Sequence, residues 1–251
     1  MGNSFNTLPL PSPDSGPEHL PAVVPAPARE SGRSPSALNK GQLREITKAE
    51  LYALVAQKYA EQMAHQKITA PFTGTLLSDI EEARAKSSGA VNATSRAEAD
   101  TDAVQTAMQN LIRALRQVQA AARKEFRDSN PAKLNAYYIG ERIDANREIL
   151  EECAQGILAN AGVDRPGAVN TEFVVRAEAA RSAYTQSKLT RASGRSQAKS
   201  KRLERDAAVA SIVQRRREIQ FAADAEWPPN VPENAAVRAE FGLSPNRPFT
   251  A

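Results

Sequence analysis

Histidine, cysteine and closely paired carboxylates supply most general acid-base, nucleophilic and metal chemistry, and this chain offers two histidines and one cysteine. His19 lies in a proline-rich stretch; His65 falls near the end of a predicted helix, four residues after Glu61 and so on the same face. Di-metal carboxylate bundles need Glu-x-x-His on two helices, and no such motif occurs. Cys153 is a single thiol on a predicted apolar face, where it reads as a small buried hydrophobe. The acidic runs Glu81-Glu82, Glu98 to Asp102 and Glu151-Glu152 suit solvated helix faces. Glycine-rich phosphate loops, dinucleotide fingerprints, serine nucleophile elbows and zinc-protease helix motifs do not occur. The pattern argues against an enzyme, and no cofactor, metal or small-molecule substrate is expected.

Charge gives a stronger signal. Between Lys188 and Arg217 stand ten Lys or Arg against Glu204 and Asp206, a local net of +8 in a chain whose total is +4. Lys199, Lys201, Arg202, Arg205, Arg215, Arg216 and Arg217 are the candidate contacts for nucleic acid or an acidic protein. On a helix they spread around the cylinder, and no aromatic residue lies between Tyr184 and Phe221 to stack on bases. The competing expectation is pairing with acidic neighbours such as Glu141, Glu148, Glu151 and Glu152.

The elements that must position these residues are set out by proline. Eight of the sixteen prolines precede residue 36, and the others leave Phe72 to Asn130 and Gly167 to Trp227 free of it. Proline removes a helical hydrogen bond and clashes with the preceding turn, so these Ala-, Arg- and Glu-rich runs read as long helices. Residues 1–44 read as a disordered leader with few large apolar side chains, stiffened around Pro21 to Pro27. Met1-Gly2 resembles a myristoylation start except that Asn6 stands where Ser or Thr is needed. No signal peptide or membrane span is read, and the expected setting is soluble and cytoplasmic.

Residues 45–227 read as a helical bundle. Thr47 and Glu50 form a capping box, followed by an apolar face of Leu51, Leu54, Val55, Tyr59 and Met63, then a turn at Thr69 to Thr75. From Leu76 a heptad register runs through Ala83, Ala90, Ala97, Val104, Leu111 and Val118 at one core position. Ile80, Ser87, Thr94, Thr101, Met108, Leu115 and Ala122 hold the other. Weak helix formers around Gly89, and Ser95 with Glu98 as a second capping box, leave a break there open. A third helix is predicted from Asn130-Pro131 to about Ala161, with Ala136, Ile139, Ile143, Asn146, Leu150, Cys153 and Ile157 in its seam; Asn146 reads as a register-setting polar core residue.

A turn over Gly162 to Asn170 leads to a fourth helix from Thr171 that either breaks at Gly194 or continues as a solvated rod. An offset of 101 residues superposes Phe72 on Phe173, Met108 on Val209, Leu111 on Ile212 and Val118 on Ile219, as two pseudo-repeated hairpins would. In the tail, residues 228–251, Pro232 opens a short helix capped by Gly242, with Trp227, Phe241 and Phe249 docking it.

The fold expectation is therefore all-α: an antiparallel bundle of long, coiled-coil-like helices. The functional expectation is a non-enzymatic scaffold, spacer or protein-interaction module that binds a protein partner or itself, with weakly sequence-specific nucleic-acid binding through 188–217 as the alternative.

Overall fold

The computed structural model describes residues 37–144, 146–164 and 171–250. Residues 1–36 of the expected leader and the turn at Pro166 and Gly167 lie outside them, whereas residues 40–44, also read as leader, form the first turn of a helix. Helices follow as α1 (Lys40–Lys58), α2 (Ala60–His65), α3 (Ala70–Phe126), α4 (Lys133–Ala136), α5 (Arg147–Asp164), α6 (Thr171–Glu226), a 3-10 turn (Pro232–Asn234) and α7 (Ala235–Glu240). The described residues contain no strand.

The frame is the antiparallel pair α3 and α6, of 57 and 56 residues. At 1.5 Å per residue each runs about 85 Å. Their direction is fixed by contacts toward one end and at the middle: Arg215 meets Asp79 at 3.3 Å, and Gly194 lies against Asp100 and Ala97. The heptad seam of α3 is buried at Leu76, Ile80, Ala83, Ser87, Ala90, Ala97, Val104, Leu111, Leu115, Val118 and Ala122. Thr94, Thr101 and Met108 are only half-buried.

Of the alternatives left open at Gly89 and Gly194, the continuous helix holds at both. The small residues about Gly89 weaken helix propensity locally, but they let the two helices approach: a Cβ added at Gly194 would stand 3.8 Å from the Cα of Ala97. Tertiary packing overrides propensity here, and Ser95 caps nothing because the helix passes through it.

Two cores sit at opposite ends of this pair. At one end α1 covers the start of α3 and the end of α6, burying Ile46, Met63, Leu76, Ile80, Ile212 and Ile219. At the other end α5 covers the end of α3 and the start of α6, burying Leu111, Leu115, Leu150, Ile157 and Tyr184. Full burial of each such side chain stabilises by roughly 1.5–3 kcal/mol. Between the cores the buried apolar residues are alanines, Ala90, Ala97 and Ala198. Of the pairs superposed by the 101-residue offset, Leu111 and Val118 fall in one core and Ile212 and Ile219 in the other.

Several boundaries differ from expectation. Helix α1 opens at Lys40, capped reciprocally by Asn39 and Gln42, whereas Thr47 lies inside it and donates its hydroxyl to the Leu43 carbonyl. Asn39-x-x-Gln42 satisfies the same orphan amides one turn earlier and wins. The turn before α3 spans Gln66 to Thr69; Pro71 falls in the first helical turn and Gly74 inside the helix. The third helix is shorter than its heptad spacing implies. Residues Tyr137 to Asp144 form turns, with Tyr138 at φ 52° and Gly140 at φ 103°, and only Arg147–Asp164 is regular.

The tail folds back on α6. Gly242 at φ 64° lets its own amide reach Ala239 O at 3.0 Å and the Leu243 amide reach Arg238 O at 2.9 Å, which closes the end of α7. Trp227 stacks on Phe241 at 5.6 Å and meets Tyr59 edge-on at 5.3 Å, while Phe249 packs on Phe221 at 4.9 Å.

Candidate interaction surfaces

The basic residues of α6 are brought into the bundle more than they are presented to solvent. Arg205 is 6% exposed and bonds Asp206 and the Ala37 carbonyl. Arg216 reaches Glu45 of α1 at 3.3 Å with its side chain 11% exposed, although its Nε finds no acceptor among the described residues. Arg215 pairs with Asp79 of α3 and lies over the Phe72 ring at 5.9 Å. Lys201 holds Glu204 at 2.8 Å, and Arg202 donates to the Ala198 carbonyl at 3.2 Å. Lys199 and Arg217 are exposed and carry no ion pair among the described residues.

The acids that neutralise this segment are thus Glu45, Asp79, Glu204 and Asp206. Of the acids on the third-helix segment, only Glu151 participates, through Lys188. The reason is the antiparallel pairing, which sets residues 205–216 beside the starts of α1 and α3.

Further along α6 like charges face one another. Burial, then the neighbouring Arg195 and Arg147, lowers the Arg191 guanidinium from its ordinary value.

Asn146 corrects the expectation placed on it. It is exposed, outside the apolar row, and its Oδ1 accepts the Ile149 amide at 2.8 Å while its carbonyl accepts the Leu150 amide at 3.1 Å. It is the N-cap of α5 and sets no register. The heptad count ran straight through a helix start, and Asn is as favoured at caps as it is noted in seams.

The residues suited to chemistry stay apart. His65 is 71% exposed at its side chain, with Nδ1 3.4 Å from Glu226. Cys153 is buried, and burial followed by Glu141 and Glu152 raises its thiol. No group of three His, Cys, Asp or Glu suited to a metal occurs among the described residues. A groove of about 730 Å³ between α5 and α6 is lined by Gln155, Leu158, Glu178, Arg181 and Gln186, and is wide open to solvent. Among the described residues no helix is long and apolar enough to cross a membrane.

A surface that sequence reasoning assigned to the core stands out instead. Helix α1 turns Ala49, Ala53 and Ala56 inward with Ile46, Tyr52 and Val55, and turns its leucines outward: Leu43 is 42% exposed, Leu51 52% and Leu54 52%. At 100° per residue Leu43, Thr47, Leu51, Leu54 and Lys58 form one stripe. Of the expected face, Val55 and Met63 are buried and Tyr59 packs on the core, but Leu51 and Leu54 point outward, because the side that meets α3 and α6 is filled by Ile46, Ala49, Tyr52, Ala53, Val55 and Ala56. The signal that locates the inner face is the i, i+3, i+4, i+7 run Ala49, Tyr52, Ala53 and Ala56, three alanines and one aromatic.

Comparisons with protein-family models, with curated proteins and with solved structures find no match for this chain.

Proposed function

We propose that the chain is a non-enzymatic structural and protein-interaction module, in which the paired α3 and α6 act as a spacer and exposed helix faces act as contacts. The observation that carries this reading is the outward leucine stripe of α1. A helix apolar on both sides is ordinarily covered on both sides, and α1 has its bundle on one side only. Nucleic-acid binding through 188–217 is the weaker alternative, since Lys201, Arg205, Arg215 and Arg216 already have carboxylate partners within the chain.

The test is photo-crosslinking in the cells that make the protein, with benzoylphenylalanine at Leu51, at Leu203 of α6, which is 60% exposed, and at buried Ile219 as control. Discrete protein adducts from Leu51 or Leu203, and none from Ile219, are expected. Absence of adducts from both exposed sites, together with salt-sensitive DNA or RNA binding lost on charge reversal of Lys199 and Arg217, overturns the reading.

A further inference from the structure

The charges around the α1 stripe specify what covers it. Helix α1 carries two acids, and both are engaged: Glu45 with Arg216 of α6 at 3.3 Å, and Glu50 with Arg84 of α3 at 2.7 Å. Its cations are disposed otherwise. Lys40 and Arg44, in its first turns, are exposed without an ion pair among the described residues; Lys48 touches Glu45 of its own helix at 3.5 Å, and Lys58, at the far end of the stripe, is held by Glu240 at 2.8 Å. By helical rotation Lys40 lies about 20° from the stripe's centre, Arg44 about 60° and Lys48 about 100°, at its edge. The solvent face of α1 is therefore three leucines within twelve residues, bordered toward its N-terminal end by the uncompensated charges of Lys40 and Arg44. The exposed apolar residues of α6 differ: Val175, Leu189 and Leu203 stand fourteen residues apart, about 21 Å each, as isolated side chains.

We propose that Leu43, Leu51 and Leu54, rimmed by Lys40, Arg44 and Lys48, form the docking face for an amphipathic helix of a partner protein whose apolar stripe is bordered by Asp and Glu. The inference rests on the interaction reading above and names the partner's chemistry. Leucines at this spacing interdigitate with a facing helix over three turns, and the lysine and arginine rim selects its flanking acids and raises its association rate.

The experiment titrates the full chain into a fluorescent three-heptad peptide with Leu at core positions and Glu at both flanks, whose own charges prevent self-pairing, and into its Lys-flanked counterpart. Saturable binding of the Glu peptide is expected. It should weaken at least tenfold in Leu51→Asp/Leu54→Asp and in Lys40→Glu/Arg44→Glu, and the Lys peptide should bind at least tenfold less tightly. Both double variants alter exposed positions, and an unchanged thermal transition shows that they fold.

Several results overturn the proposal: no binding up to about 1 mM, equal binding of the two peptides, or binding indifferent to both double variants. So do Leu51-dependent binding to vesicles of anionic phospholipid without peptide binding, and a mass doubling of the chain alone that Leu51→Asp/Leu54→Asp abolishes. If the Glu peptide fails while crosslinks form at Leu203, the partner chemistry is wrong and the interaction reading stands; if no crosslink forms at either site, both fall.

Discussion

Arg238 is fully buried, and replacing it by alanine should release the tail without unfolding the bundle. Its guanidinium donates to the Asp224 carboxylate at 2.7 Å, to the Ser244 and Arg247 carbonyls at 2.8 Å each, and to the Trp227 carbonyl. One side chain thus ties together the end of α6, the segment after it and the last turns of the chain. Breaking a buried ion pair by removing one partner costs about 3–5 kcal/mol, because the group left behind stays desolvated. Here Asp224 keeps 17% exposure and the three carbonyls regain water once the tail lifts, so the lower end applies, about 3 kcal/mol.

The loss is also bounded above by the tail's own docking. Phe241 and Leu243 contribute roughly 1.5–3 kcal/mol each on burial, offset by about 1–2 kcal/mol per residue ordered. A cost of 3 kcal/mol is about a hundredfold in a local opening equilibrium. Native-state hydrogen exchange should show it at the Gly242 and Leu243 amides, which close α7, and at the Asn230 amide, which reaches Pro245 O at 2.9 Å. The amides of Leu111 and Val118, in the distant core, should be unchanged. Arg238→Lys should recover less than half, since an ammonium cannot reach four acceptors held in fixed directions. Acceleration below about fivefold in the alanine variant, or equal acceleration in both regions, refutes the reasoning.

Asn146→Ala should lower stability by about 1 kcal/mol in urea unfolding through loss of the α5 cap, and Asn146→Leu should leave the mass by light scattering unchanged. Gly242→Ala should cost about 2 kcal/mol or more, since φ is 64° and the new Cβ would fall 2.0 Å from Tyr52 Oη; Gly194→Ala should stay within about 1 kcal/mol of wild type, because helix propensity gains what displacing the Asp100 carboxylate loses. The hydrogen bond from Lys58 holds the Glu240 carboxyl below its ordinary value, so its contribution to tail docking is complete above that ordinary value and is lost as pH falls through the depressed one. Trp227 emission should report that acid-side release, and Glu240→Gln should flatten it.

What could be read in advance follows from which signals are local. The α3 seam was legible because fourteen positions repeat at one spacing, and eleven of them are buried. The start of α5 was not, since Asn146 falls on a heptad position and at a cap at once, and spacing cannot separate the two. The continuity of α3 through Gly89 and of α6 through Gly194 was equally illegible, because it depends on two segments about a hundred residues apart meeting with small side chains. Arg238 gave no signal either. Its burial is made by acceptors at Asp224, Trp227, Ser244 and Arg247, three of them backbone carbonyls whose placement exists only after the tail has turned back.

The basic segment and α1 show how one pairing choice decides both candidate surfaces. An antiparallel α3–α6 frame sets Arg215 beside Asp79 and Arg216 beside Glu45, so the run that looked most available for phosphate is largely neutralised. The same ion pairs engage Glu45 of α1 and Asp79 of α3, and Arg84 engages Glu50, leaving Lys40 and Arg44 without an ion pair among the described residues beside the outward leucines. Net charge along the sequence located the positive potential on α6; the fold transfers part of it to α1. Neutralising Arg216 should therefore act on α1 at a distance: Arg216→Gln leaves Glu45, which already meets Lys48 at 3.5 Å, to the cations of α1 alone, and a partner with an acidic rim should bind the variant less tightly although residue 216 lies outside the stripe.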